Sequence, residues 1–146
     1  MKDDDFKNLA HRVGVNVIAS RGSTVSTGYK PDATVRNSEG KLMFILESEQ
    51  KTDRKAFLGD LIKAEMYSEQ QNANPELIII MQPFGNTTTQ QITDHIRPYK
   101  NWLAQKKGGA LSISSVQVLS DADYVEAIQA GEELGSLAFR RRGYIV

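Results

Sequence analysis

Apolar residues recur along the chain in two rhythms, one helical and one strand-like, and their alternation predicts the architecture. Between residues 4 and 20, Phe6, Leu9, Ala10, Val13 and Val17 are helically spaced, and Asp3, Asp4 and Asp5 suit the positive end of a helix dipole. Gly14 weakens that helix, and VNVIAS (15–20) also reads as a short strand. RGSTVSTGYKPD (21–32), rich in Gly, Ser and Thr, predicts a loop with room for one edge strand. Two β-rich runs follow, 33–37 and 41–50, separated by the turn-forming NSEG, and predict an antiparallel hairpin.

Thr52 or Asp53 can cap a helix whose Phe57, Leu58, Leu61, Ile62 and Ala64 form an apolar stripe, ended by NANP (72–75). ELIIIMQ (76–82) is a continuous apolar run, as in a strand covered on both faces. Thr87 with Gln90 offers a capping box for a helix carrying Ile92, Ile96, Tyr99 and Leu103, which Pro98 should kink or interrupt and KKGG (106–109) should stop. Trp102 is expected in the core. ALSISSVQVL (110–119) predicts another strand. Ser120 or Asp121 would cap a last helix with Tyr124, Val125 and Ile128, and SLAFRRRGYIV (136–146) a terminal strand or tail. The order, roughly α, β-hairpin, α, β, α, β, α, β, predicts an α/β (mixed α+β) fold: a central mixed sheet flanked by helices.

Composition narrows the classes. A chain of 146 residues, 40% hydrophobic and 25% charged, is expected to form a single domain spanning 1–146 with a sizeable core. No apolar stretch approaches the roughly 18 residues of a membrane span, so no membrane partner is expected. The acidic, polar MKDDDFKNLA does not read as a signal peptide. The absence of cysteine excludes disulfides and thiolate metal sites and fits a cytoplasmic protein. Eighteen basic residues balance eighteen acidic ones. A nonspecific nucleic-acid coat would be more basic, but a local basic face beside an acidic metal site also balances to zero.

The candidate chemistry lies in KLMFILESEQK (41–51), where an apolar strand ends in charge. In an extended strand Met43, Ile45, Glu47, Glu49 and Lys51 share one face, and Leu42, Phe44, Leu46, Ser48 and Gln50 share the other. A hairpin turn at 38–40 brings Asp32, after Pro31, to the same end as Glu47 and Glu49. Acidic oxygens converging across strands about 5 Å apart suit a hard cation such as Mg²⁺. A nearby lysine can position or deprotonate a water, or offset charge on a phosphate. The plainer alternative is a solvated strand end in which Glu49 and Lys51 form a same-face ion pair.

KPD (30–32) and FILESEQK (44–51), with the helix and strand that follow, resemble the PD-(D/E)XK nuclease superfamily, which has the restriction-endonuclease-like fold, over roughly residues 28–82. The resemblance implies a helix, a three-stranded meander, a second helix and a further strand. It implies a Mg²⁺-dependent DNA endonuclease, with Mn²⁺ as a possible substitute. Asp32, Glu47 and Glu49 would surround the metal, and Lys51 would assist the water that hydrolyses a phosphodiester. Two registers fit. Either Glu49-Gln50-Lys51 is the (D/E)XK triplet, or Glu47-Ser48-Glu49 is, with Glu49 where the lysine normally stands. Both use Asp32 and Glu49. A chain this short implies a homodimer or a partner subunit for double-strand cleavage. A catalytically inactive nucleic-acid-binding or assembly module on the same fold, and a junction-resolving nuclease, are the alternatives.

Other candidates are weaker. Arg140, Arg141 and Arg142 form the densest basic run and could hold phosphates, with Tyr144 stacking on a base, or could blunt an edge strand. Lys55 and Lys63 flank the helix after the motif, on the active-site rim in the family, and Lys106 and Lys107 suit a helix C-terminus. His11 and His95 sit beside apolar helical positions and read as packing or surface residues. There is no CxxC, HExxH, P-loop or GxSxG pattern.

Overall fold

The structure is a computed structural model that describes residues 1–50 and 52–146. Six strands form one sheet in sequence order, β1 (Val17–Ser20), β2 (Ala33–Arg36), β3 (Leu42–Glu49), β4 (Glu76–Met81), β5 (Ser115–Ser120) and β6 (Tyr144–Ile145). The first three are antiparallel neighbours, β3, β4 and β5 run parallel, and β6 returns antiparallel to β5. This is the mixed sheet expected, with helices on both faces.

Parallel strands need crossover helices, and these build the layers. On one face α2 (Arg54–Gln70) and α3 (Thr89–Lys106) bury Phe57, Leu61, Ala64, Ile92 and Ile96 against Ile45, Leu77, Ile79 and Val118. On the other, α1 (Asp3–Lys7), α4 (Asp121–Gln129) and α5 (Leu137–Arg140) bring Phe6, Tyr124 and Phe139 onto Phe44, Leu46, Ile78 and Ile80. The unbroken apolar run of β4 follows from having a core on each side.

The hairpin turns where NSEG predicts it, with Gly40 N–H bonded to the Asn37 carbonyl. A bulge alters the expected faces of β3: Val35 pairs with Phe44 but Arg36 with Leu42, so Met43 is the extra residue. Leu42 therefore joins the core of Ile45, and Met43 packs with Phe44 and Leu46. Beyond the bulge, Glu47 and Glu49 keep the face of Ile45.

Several expectations are corrected. The first helix ends at Lys7, and the alternative strand is the one formed; Phe6, Leu9 and Val13 of the helical stripe still pack on the core, but Val17 lies exposed in β1. The capping box is Thr88 with Gln91, one residue later than Thr87 with Gln90, because Thr87 N–H is used in a turn with the Phe84 carbonyl. Pro98 does not interrupt α3. Pro98 and Asp94 are both exposed, so water can satisfy the Asp94 carbonyl that the proline leaves without a donor. Trp102 is 57% exposed rather than in the core, on the outer face of α3. Residues 136–146 hold the short α5 before β6. Among the described residues no helix is long and apolar enough to cross a membrane.

Candidate functional site

The hairpin register sets the site. Ala33 pairs with Leu46, so Asp32, just before β2, stands beside Glu47 and Ser48, and its Oδ2 accepts the Ser48 backbone N–H at 2.7 Å. That bond ties the loop carboxylate to the C-terminal end of β3. Glu47 and Glu49 point from β3 towards α2, as strand alternation from buried Ile45 requires. Across from them, the face of α2 that buries Phe57, Leu61 and Ala64 also carries Asp60, itself only 9% exposed. Buried Tyr29 donates its hydroxyl hydrogen to Glu47 Oε1 at 2.8 Å and packs edge-on against Tyr67.

These side chains line one open cleft of about 550 Å³, with Asp32, Glu47, Glu49 and Asp60 on its walls and Lys30 and Lys63 at its edge. The α1 end closes one side, where Gln50 Nε2 donates to Asp3 Oδ1 at 2.6 Å.

The electrostatics of the cleft are unrelieved. Burial pushes the Glu47 carboxyl up to about 8, the Asp32 and Glu49 charges push the same way, and the Tyr29 hydrogen bond only partly opposes them. Asp60 is held well above the usual carboxylate range by burial first and by the Glu47 and Glu49 charges next. Burial also raises Asp32 and Glu49, and Glu49 shares a hydrogen bond with Asp60. Tyr29 is raised by burial and by the adjacent Glu47, so it stays a neutral donor. Among the described residues none of the four carboxylates takes part in a salt bridge.

The donor set suits a hard divalent cation: all oxygen, several carboxylates, no thiol or imidazole. Among the described residues Asp60 Oδ2 is buried with no hydrogen-bond partner, which leaves it open to a cation. Among the described residues, however, no three acidic or histidine side chains converge closely enough, as they stand, to hold a metal ion. The chemistry of the donors fits Mg²⁺; closing on it requires side-chain movement.

The structure brings Asp32, Glu47 and Glu49 together, whereas Lys51 lies outside the described residues, so both registers of the triplet stand. Lys63 lines the cleft, but Lys55 is exposed on the first turn of α2 and is not among its lining residues. The arginine run is elsewhere. Arg140 pairs with Glu76 at the start of β4, whereas Glu49 lies beside Met81 at its end, roughly 16 Å along the strand. Arg142 pairs with Glu132 at 2.5 Å and Glu126 at 3.1 Å, which leaves exposed Arg141 as the one arginine of the three with no carboxylate partner among the described residues. His11 is a packing residue: its Nδ1 lies 2.6 Å from the Tyr124 hydroxyl, and burial brings its imidazole down to about 4.

Sequence reasoning missed Asp60, Tyr29 and Lys30. Asp60 carried a readable signal, a carboxylate three positions after Phe57 and four before Ala64 on the apolar stripe. Tyr29 and Lys30 precede Pro31-Asp32 in a loop with no periodicity to show which way it faces.

No protein-family model matches the chain, and no curated protein does.

Proposed function

We propose that the chain is a divalent-metal-dependent endonuclease of the PD-(D/E)XK type that hydrolyses phosphodiester bonds in DNA. The observation that carries this reading is the gathering of Asp32, Glu47 and Glu49, the residues to which the resemblance gives the metal, in one cleft at the end of the β2–β3 hairpin. The antiparallel β1–β2–β3 meander followed by α2 and parallel β4 has the element order the resemblance implies. When bound, Mg²⁺, or Mn²⁺ in its place, supplies positive charge against the negative charge that develops on a phosphate under attack.

The chain's own groups do the rest. Asp32, anchored through Ser48, and Glu47, anchored through Tyr29, hold their carboxylates ready for the cation. In one register Lys51 orients the attacking water; in the other Glu49 takes its proton. Lys30 and Lys63 at the cleft edge meet the oxygens of the neighbouring phosphates. One cleft cuts one strand at a time, so duplex cleavage calls for a homodimer or a partner subunit.

The test is incubation of plasmid and single-stranded DNA with purified protein and Mg²⁺, Mn²⁺ or EDTA. Metal-dependent cutting that is lost in Asp32→Ala and Glu49→Ala establishes the reading; branched substrates cut in preference to linear duplex would identify a junction-resolving enzyme. A second reading, a non-catalytic nucleic-acid-binding or assembly module, draws support from the exposed Tyr99 and Trp102 on α3. DNA or partner binding without cleavage under any metal would select it.

A further inference from the structure

Asp60 has a chemistry that neither the hairpin nor the packing of α2 explains. It is a carboxylate nine-tenths buried, on the face of a helix whose other members are Phe57, Leu61 and Ala64. Among the described residues its Oδ2 has no hydrogen-bond partner, and its surroundings are acidic: Glu47, Glu49 and Asp32 all act on it with like charge. A buried anion without a donor is costly, and any apolar residue or asparagine would pack there at less cost.

The same helix carries a direct control. Glu65, five positions on and also buried, is a carboxylate with a structural role, since it accepts the backbone N–H groups of Ser112 and Ile113 at 2.8 and 2.9 Å and pairs with Lys107. Its pKa is lowered despite burial, because backbone and lysine donors outweigh the loss of water. Asp60 has none of these donors and faces into the cleft.

We propose that Asp60 is a cation-binding residue of the cleft, an oxygen donor from α2 that joins Glu47 and Glu49 from β3. The inference rests on the metal-dependent reading above and adds a ligand from outside the hairpin. It makes the cation a bridge between the sheet and the helix. A cation that tied only Asp32 to β3 would cross-link two strands already hydrogen-bonded to each other.

The experiment measures Mn²⁺ binding to the full chain without nucleic acid, by titration calorimetry and by the electron paramagnetic resonance signal of free Mn²⁺. The proteins are wild type, Asp60→Asn, Asp60→Glu and, as an exposed control, Asp94→Asn. Thermal unfolding of each is followed with EDTA and with Mn²⁺. Asp60→Asn should weaken Mn²⁺ by at least about tenfold and shrink the metal-induced rise in Tm. Asp60→Glu should recover part of the affinity, and Asp94→Asn should match wild type. In EDTA, Asp60→Asn should unfold no lower than wild type, because the amide removes a buried charge. Unchanged Mn²⁺ affinity in Asp60→Asn, or a lower Tm in EDTA, would overturn the inference while leaving the nuclease reading intact. Wild type that binds no Mn²⁺ would bring down both.

Discussion

Two buried carboxylates on α2 show what separates a structural acid from a candidate functional one. Glu65 and Asp60 are 3% and 9% exposed, belong to one helix, and have opposite electrostatic fates. Glu65 is lowered by the Ile113 and Ser112 N–H groups and by Lys107, against the effect of burial, so folding stabilises its charge. Asp60 is raised by burial and by three acidic neighbours, so folding resists its charge. Burial by itself does not decide the outcome; the supply of donors does. At Glu65 the fold provides them. Around Asp60, Glu47 and Glu49 the described residues provide the Tyr29 hydroxyl and the Asp32 backbone, both to Glu47, and these do not outweigh burial.

The greatest loss of stability is expected at the satisfied carboxylate. Glu65→Ala leaves two backbone N–H groups and Lys107 without their acceptor and should cost about 3 kcal/mol in urea-induced unfolding, with cleavage per folded molecule unchanged. At the unsatisfied end the effect should move from stability to function. Asp32→Ala or Glu49→Ala should lower metal-dependent cleavage at least about 100-fold, or about 2.7 kcal/mol of transition-state stabilisation. In EDTA, Glu49→Ala should not lower Tm, whereas Asp32→Ala should cost about 1 kcal/mol for the Ser48 N–H left without its acceptor.

The same shortage of donors gives stability a pH dependence. Glu47 titrates near 8 in the fold against an ordinary 4.5, so the folded chain keeps a proton that the unfolded chain has lost, and stability falls as pH rises between those values. His11, brought down to about 4 from 6.5, works oppositely, contributing stability above 6.5 that is lost as pH falls towards 4. Above about pH 7 and up to 8 His11 is mostly neutral whether folded or unfolded. In that window metal-free protein should lose up to about 1.4 kcal/mol per pH unit for each retained proton. Chemical denaturation across the window in EDTA measures this, and Glu47→Gln should flatten it. A slope as steep in Glu47→Gln as in wild type would contradict the origin assigned here.

Two smaller changes complete the series. Tyr29→Phe removes the hydroxyl donor to Glu47 and should cost about 1 kcal/mol at pH 8, less at pH 5, where the carboxyl is protonated. Arg141→Ala, exposed and without a carboxylate partner among the described residues, should change stability by no more than about 0.5 kcal/mol. A marked loss of DNA affinity in Arg141→Ala would return the arginine run to the binding surface.

Where local chemistry dictates geometry, the sequence was readable. The NSEG turn and the flanking β-rich runs settle the hairpin, and the hairpin alone brings Asp32 beside Glu47. Asp53 caps α2 through the Lys55 N–H, and the apolar run of β4 lies between two cores as its composition requires. What stayed hidden depends on partners far along the chain. The bulge at Met43 is a property of two strands, not one. Trp102 lies exposed, while the positions of α3 that are buried are Ile92, Thr93 and Ile96. Asp60 interrupts the helical stripe, and that it faces two glutamates is set by the packing of α2 on β3.

The strand order also bears on how the cleft comes into being during synthesis. Each strand pairs with the one made just before it, so the sheet can grow at a single edge as the chain emerges. Asp32, Glu47, Glu49 and Asp60 lie between positions 32 and 60, and Asp3 precedes them, so every cleft carboxylate falls within the first half of the chain. The segments that carry them, up to and including β2, β3 and α2, are thus all synthesised before β4, β5 and β6. The later strands contribute none of these carboxylates; β4 joins β3 across the parallel crossover that α2 makes. A nascent chain released early would carry the acids without that pairing, so cation affinity should appear only once β4 has joined β3.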